Sequence, residues 1–145
     1  MKTYKNILIL FTFLLLFTGC SSTNFARISM NDYPPKHESV EIPIFAGDSD
    51  TIYERIGVIF VYGEKSLTRE LINYRLREQA KKIGADAIIF ARYDNIDPYK
   101  YFKAYGSAYV DFEWAKKSGS GVWIMRGVPI GAGLVIINKT SKKLR

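Results

Sequence analysis

The chain opens with a short positive stretch, Met1–Asn6, carrying Lys2 and Lys5 and no acid, followed by Ile7–Phe17, apolar except for Thr12. A membrane-spanning helix needs roughly 20 apolar residues, so this run is too short to cross. A basic start and a short apolar core have the form of a signal peptide, over residues 1–19. The alternative is an uncleaved anchor with a chance cysteine behind it. From Ser21 to Glu38 the periodicity disappears, and the segment holds Ser21-Ser22-Thr23-Asn24 and the pair Pro34-Pro35. Residues 20–38 read as a tether, stiffened by the prolines, with an extended reach on the order of 60 Å.

Regular patterns begin at Val40. Val40, Ile42 and Ile44 alternate with Glu41, Pro43 and Phe45, which predicts a strand with one apolar face. Pro43 puts that strand at an edge. Gly47, Asp48, Ser49 and Asp50 predict a loop over Ala46–Thr51. Ile56–Tyr62 is a β-branched, nearly continuous apolar run, the pattern of a strand buried on both faces. Over Ser66–Ile83, residues Leu67, Leu71, Ile72, Leu76, Ala80 and Ile83 recur at helical spacing. Arg69, Glu70, Arg75, Arg77, Glu78, Lys81 and Lys82 take the wet side, Ser66 is the expected N-cap, and Gly84 is the expected left-handed stop.

Ala85–Tyr93 predicts another buried strand. Asp94–Tyr105 reads as a loop. Ser107–Ala115 and Gly121–Arg126 form a hairpin about Lys116–Ser120, and Gly127, Pro129, Gly131 and Gly133 predict a bend or bulge before a last strand, Leu134–Asn138. The expected fold class is α+β, a small mixed sheet of about five strands with one main helix on it. Its order is strand–helix–strand followed by a hairpin. One domain spans 39–138, with a basic tail over 139–145.

Charge and cysteine content then narrow the picture. The net charge is +7, of which Lys2 and Lys5 lie in the leader; without them +5 remains. That excess favours anionic surfaces such as phospholipid headgroups. A single cysteine, Cys20, excludes an intramolecular disulfide. Phe17-Thr18-Gly19-Cys20 resembles the lipobox of bacterial lipoproteins, with Phe17 standing where Leu is usual. The resemblance implies cleavage after Gly19 and diacylglycerol on the Cys20 thiol. It implies a cell-membrane location and, with Ser21 next, the periplasmic side of the outer membrane in a Gram-negative cell. Nucleic acid is an unsuitable partner for an exported protein.

Three further stretches carry a second resemblance. They are Ile52-Tyr53-Glu54-Arg55-Ile56-Gly57, the helix-to-strand run Leu76 to Ile89, and the glycine-broken segment Gly127–Ile137. Together they resemble a superfamily of small α+β domains common in bacterial envelope lipoproteins. It includes the outer-membrane stress-sensor lipoprotein of the Rcs phosphorelay and cytosolic domains labelled heavy-metal-binding. The resemblance implies fold and anchoring over roughly residues 40–137 and assigns no functional residue. The stress sensor is held by disulfides, and this chain has none after Cys20. Within the motif, Ala80 lets the helix lie close to the sheet, and Asp86 is expected to accept amide hydrogen bonds where the strand begins.

Candidate chemistry is sparse. One histidine, His37, excludes a His-based metal cluster and reads as a linker residue; no metal or cofactor is expected. Asp111 and Glu113 share a strand face, where adjacent acids are ordinarily solvated. No serine has a histidine base nearby, and the glycines at 127–133 do not sit between a strand and a helix as a phosphate loop does. The expectation is therefore a protein that is not an enzyme. Aromatics crowd the second half among lysines, and Tyr99, Tyr101, Tyr105 and Tyr109 are the residues expected at the surface to bind an envelope partner. The competing reading places these rings in the core and the basic surface on lipid or glycan.

Overall fold

The computed structural model describes residues 22–63, 67–94, 96–105 and 130–139. Its strands are β1 (Ser22–Arg27), β2 (Tyr53–Tyr62), β3 (Ala87–Tyr93) and β4 (Gly131–Asn138). Its helices are α1 (Arg69–Lys82) and α2 (Pro98–Tyr105). The strands form one sheet in the order β1-β2-β4-β3, with every neighbouring pair antiparallel. The expected strand–helix–strand unit is thus split, with β4 inserted between β2 and β3. The protein is a mixed α and β structure with a four-stranded antiparallel sheet; the expected hairpin at 107–126 lies outside the described residues.

The sheet buries both faces. Alternation along β2 sends Ile59 and Val61 to one face, where they meet Ile72, Leu76 and Ala80 of α1 and Ile42 of the preceding segment. Val58, Phe60 and Tyr62 go to the other face and meet Tyr101 and Phe102 of α2. Each large apolar side chain so enclosed contributes roughly 1.5–3 kcal/mol relative to exposure.

Helix α1 follows its predicted stripe with two changes. Its N-cap is Thr68, whose Oγ1 accepts the Leu71 amide at 3.3 Å, and Leu71 is exposed rather than packed. Gly84 closes it with φ +79°. A side chain there would run into the carbonyl of Pro34, 2.5 Å away, so the stop residue also lets the chain at 33–34 lie across the helix end.

The predicted tether is not free. Ser22–Arg27 pairs with β2 from Ser22↔Tyr62 to Arg27↔Gly57, and Ala26 and Ile28 are buried. Beyond it the chain wraps the molecule. Ser29 Oγ and Asn31 Nδ2 donate to Glu54 Oε1 at 2.5 and 2.9 Å, and Lys36 Nζ donates to Asp86 Oδ1 at 2.6 Å. The reason is chemical: this polar segment finds fixed acids on the sheet, so folding replaces its water contacts. Residues 22–38, read from the sequence as a tether, are therefore part of the folded unit. Lys139, assigned to the tail, is held by its amide on the Ile52 carbonyl and by Glu54.

The predicted strand at 40–45 becomes an extended edge cover. Ile44 bridges Ile88 in parallel, and the amides of Ile88, Phe90 and Ala91 donate to the carbonyls of Pro43, Gly47 and Phe45. The bend expected in β4 is absent from Gly131–Asn138. The extra residues sit in its partners, between Arg55 and Gly57 and between Ile89 and Arg92. Gly131 and Gly133 instead leave room for Ile72 and Ile88. The predicted loop at 94–105 contains α2, because Asp97-Pro98 is a helix start: Asp97 Oδ1 accepts the Lys100 amide at 3.3 Å and proline occupies the first turn.

Candidate functional site

One pole of the sheet gathers the start of β1, the end of β2, the start of β4 and the end of β3, through the pairs Ser22↔Tyr62, Val61↔Gly131 and Tyr93↔Gly131. Helix α1 begins beside it, and the Arg69 guanidinium lies over the Tyr93 ring at 4.2 Å. Cys20 is outside the described residues, two positions before β1.

Between β1 and α1 runs a groove of about 320 Å³ lined by Thr23, Tyr74, Arg75, Glu78, Gln79 and Lys82. It exists because β1 is short and polar. Thr23 cannot fill the space beneath the flank of α1 on which Tyr74, Arg75, Glu78 and Lys82 recur at three-to-four spacing. Arg75 reads from its spacing as a solvated residue, yet its Nε is buried and has no hydrogen-bond partner. Glu78 accepts from Lys81 Nζ at 3.3 Å, and Lys81 also donates to the Glu38 carbonyl at 2.7 Å. The acid of the groove is thus already engaged by a cation outside it. Tyr74 is 56% exposed and Leu71 beside it 37%.

Of the four tyrosines expected at the surface, Tyr101 is buried and Tyr105 half-buried. Tyr101 is only 4% exposed. Its ring meets Phe60 edge-on at 5.8 Å, its hydroxyl donates to the Phe90 carbonyl at 2.9 Å, and burial drives the phenol far above its ordinary pKa. It is a core residue because helical spacing turns positions 101, 102 and 105 toward the sheet. Tyr105 is half-buried, stacked on Phe90 at 4.6 Å with Arg92 over it. Tyr99 lies on α2, and Tyr109 lies outside the described residues. Phe90 itself has φ +52°, a strained setting for an aromatic residue. It marks the β3 bulge, fixed by the Gly47 carbonyl on one side and the Tyr101 hydroxyl on the other.

The remaining polar residues hold structure. Asp86 behaves as its motif predicts: Oδ2 accepts the Asn138 amide at 2.9 Å while Oδ1 takes Lys36. Glu54 is pulled down to about 2, chiefly by the hydrogen bond from Ser29, assisted by Asn31 and Lys139. His37 Nδ1 lies 2.8 Å from Ser39 Oγ, a local turn contact. Among the described residues no group of three His, Cys, Asp or Glu could hold a metal ion, and no helix is long and apolar enough to cross a membrane. Asp111 and Glu113 lie outside the described residues.

No family model, curated protein or solved structure matches this chain.

Proposed function

We propose that this chain is a non-catalytic bacterial lipoprotein, acylated on Cys20 after loss of residues 1–19, that seats a small domain directly on its membrane. The observation that carries the reading is Phe17-Thr18-Gly19-Cys20 behind a short apolar run, with β1 at Ser22–Arg27 close after it. Each buried methylene contributes about 0.8 kcal/mol, so the two or three chains of a bacterial lipoprotein make attachment effectively permanent. In a Gram-negative cell Ser21 directs this anchor to the periplasmic side of the outer membrane. Kinship with the small α+β envelope domains belongs to the same proposal; the Gly84 turn, which the motif predicts, supports it.

A role at the lipid surface is favoured over recruitment of a distant partner, because β1 takes up the length that a leash would need. One observation favours an envelope protein partner as a second reading. Among the described residues no strand lies beside the outer edge of β1, and an open edge can accept an extended segment. Crosslinking in whole cells, with recovery of the lipidated form, separates the two by a stoichiometric protein adduct. The primary test is Cys20→Ser. The wild type is expected in the membrane fraction with diacylglycerol on Cys20 by mass spectrometry, and the variant is expected to be unacylated and released. A bare thiol in the processed wild type overturns the reading.

A further inference from the structure

The groove between β1 and α1 has a chemistry that its structural role does not use. Arg75 and Lys82 both line it, Arg75 Nε is shielded from water without a partner, and Glu78 is paired with Lys81. A buried donor left unsatisfied is costly, and a cation is best satisfied by an anionic oxygen. Tyr74, Thr23 and Gln79 line the same space, so the lining brings further donor-bearing side chains to an anion of several oxygens. Arg75 is suited to such a group, since its planar fork matches two phosphate oxygens at once.

Position selects the anion. Thr23 lines the groove and is three residues from Cys20, a separation of at most about 11 Å on an extended chain. A groove so close to an acyl anchor opens at the depth of lipid headgroups. Tyr74 and Leu71, exposed on the same flank, suit that layer, where amphipathic rings and apolar side chains lie between water and hydrocarbon.

We propose that this groove binds the phosphodiester of an anionic phospholipid next to the anchor, with Arg75 and Lys82 on the phosphate and Tyr74 at the interface. The proposal rests on acylation of Cys20. Binding fixes how the domain stands on the bilayer: the flank of α1 beside β1 lies down, and the α2 face of the sheet is presented to the envelope.

The test uses the acylated protein purified from cells and placed in phosphatidylcholine bicelles. Phosphatidylglycerol is titrated in while the Arg75 Nε–H signal is followed by nitrogen-15 NMR, and inorganic phosphate is titrated in parallel. A saturable shift with phosphatidylglycerol and none with phosphate at equal concentration is expected. Lys82→Gln, an exposed change, should weaken the response about fivefold. Lys103→Gln, an exposed change on α2 across the sheet from the groove, should leave it intact. No shift with phosphatidylglycerol overturns the proposal, and an equal shift with inorganic phosphate overturns the lipid as its source. The intact mass of the same sample separates the two layers: an acylated protein with a silent groove sinks this inference alone, whereas an unacylated one sinks the reading beneath it.

Discussion

Among the described residues the two edges of the sheet differ in what lies beside them. The outer edge of β3 is covered by residues 43–47, which bridge Ile44 to Ile88 and accept the amides of Ile88, Phe90 and Ala91. The outer edge of β1 has no strand beside it among the described residues, and it is the edge next to Cys20. Exposed edges invite pairing with other chains, so proteins cover them, shorten them or dress them with polar residues. Here the covering is spent on β3, and β1 is kept to six residues, Ser-Thr-Asn-Phe-Ala-Arg. On the proposed anchoring the bilayer would guard the open edge by restricting approach from that side.

The comparison breaks most strongly at Ile42, which is fully buried and holds the covering segment to the core. Ile42→Ala should cost about 2–5 kcal/mol in urea unfolding. It should also speed hydrogen exchange at Ile88, Phe90 and Ala91, whose partners lie on that segment, more than at β1. Next is Gly57, opposite Arg27 and packed against the Phe25 ring and the Ala26 carbonyl, 2.5 Å from where a Cβ would stand. Gly57→Ala should cost about 1–3 kcal/mol and act on the other edge. Trypsin should then cut after Arg27 well before it cuts within α1.

A smaller effect follows from Tyr101→Phe, which strips the Phe90 carbonyl of its hydroxyl partner at the β3 bulge. A loss of about 1 kcal/mol in thermal melts is expected, with the groove across the sheet unaffected. The smallest effect at neutral pH concerns Glu54, which pins residues 29–31 behind β1. Its carboxyl sits at about 2, below the ordinary 4.5, so its stabilisation is fully present above the ordinary value and is lost as pH falls toward 2. Amide signals of Ser29 and Asn31 should broaden over that acid window, and Glu54→Gln should remove the pH dependence.

The elements most legible in the sequence were those whose pattern serves one purpose. β2 and β3 are β-branched apolar runs because both their faces are covered, and α1 shows a stripe because only one of its faces is. β1 escaped because an edge strand with polar side chains lacks that signature; Phe25, Ala26 and Ile28 alone hint at it. α2 was legible in principle, since Asp97-Pro98 is an N-cap followed by a first-turn proline, but a tyrosine-rich stretch reads equally well as a loop. Tyr101 and Tyr105 depart from the expected surface for the same reason: the 101, 102 and 105 spacing is an inward-facing helical face once a helix is granted. In the groove, Arg75 was assigned to solvent because sequence spacing gives the angle around a helix but not the neighbouring strand that shields it.

On the proposed anchoring, β1 stands where a leash would otherwise run. Hydrogen exchange of the acylated protein, read residue by residue over Ser22–Ile44, tests this most directly. The β1 amides that face β2 should be protected to an extent comparable with those of β2 itself, and exchange across Ser22–Arg27 at the rate of an unstructured peptide would contradict it.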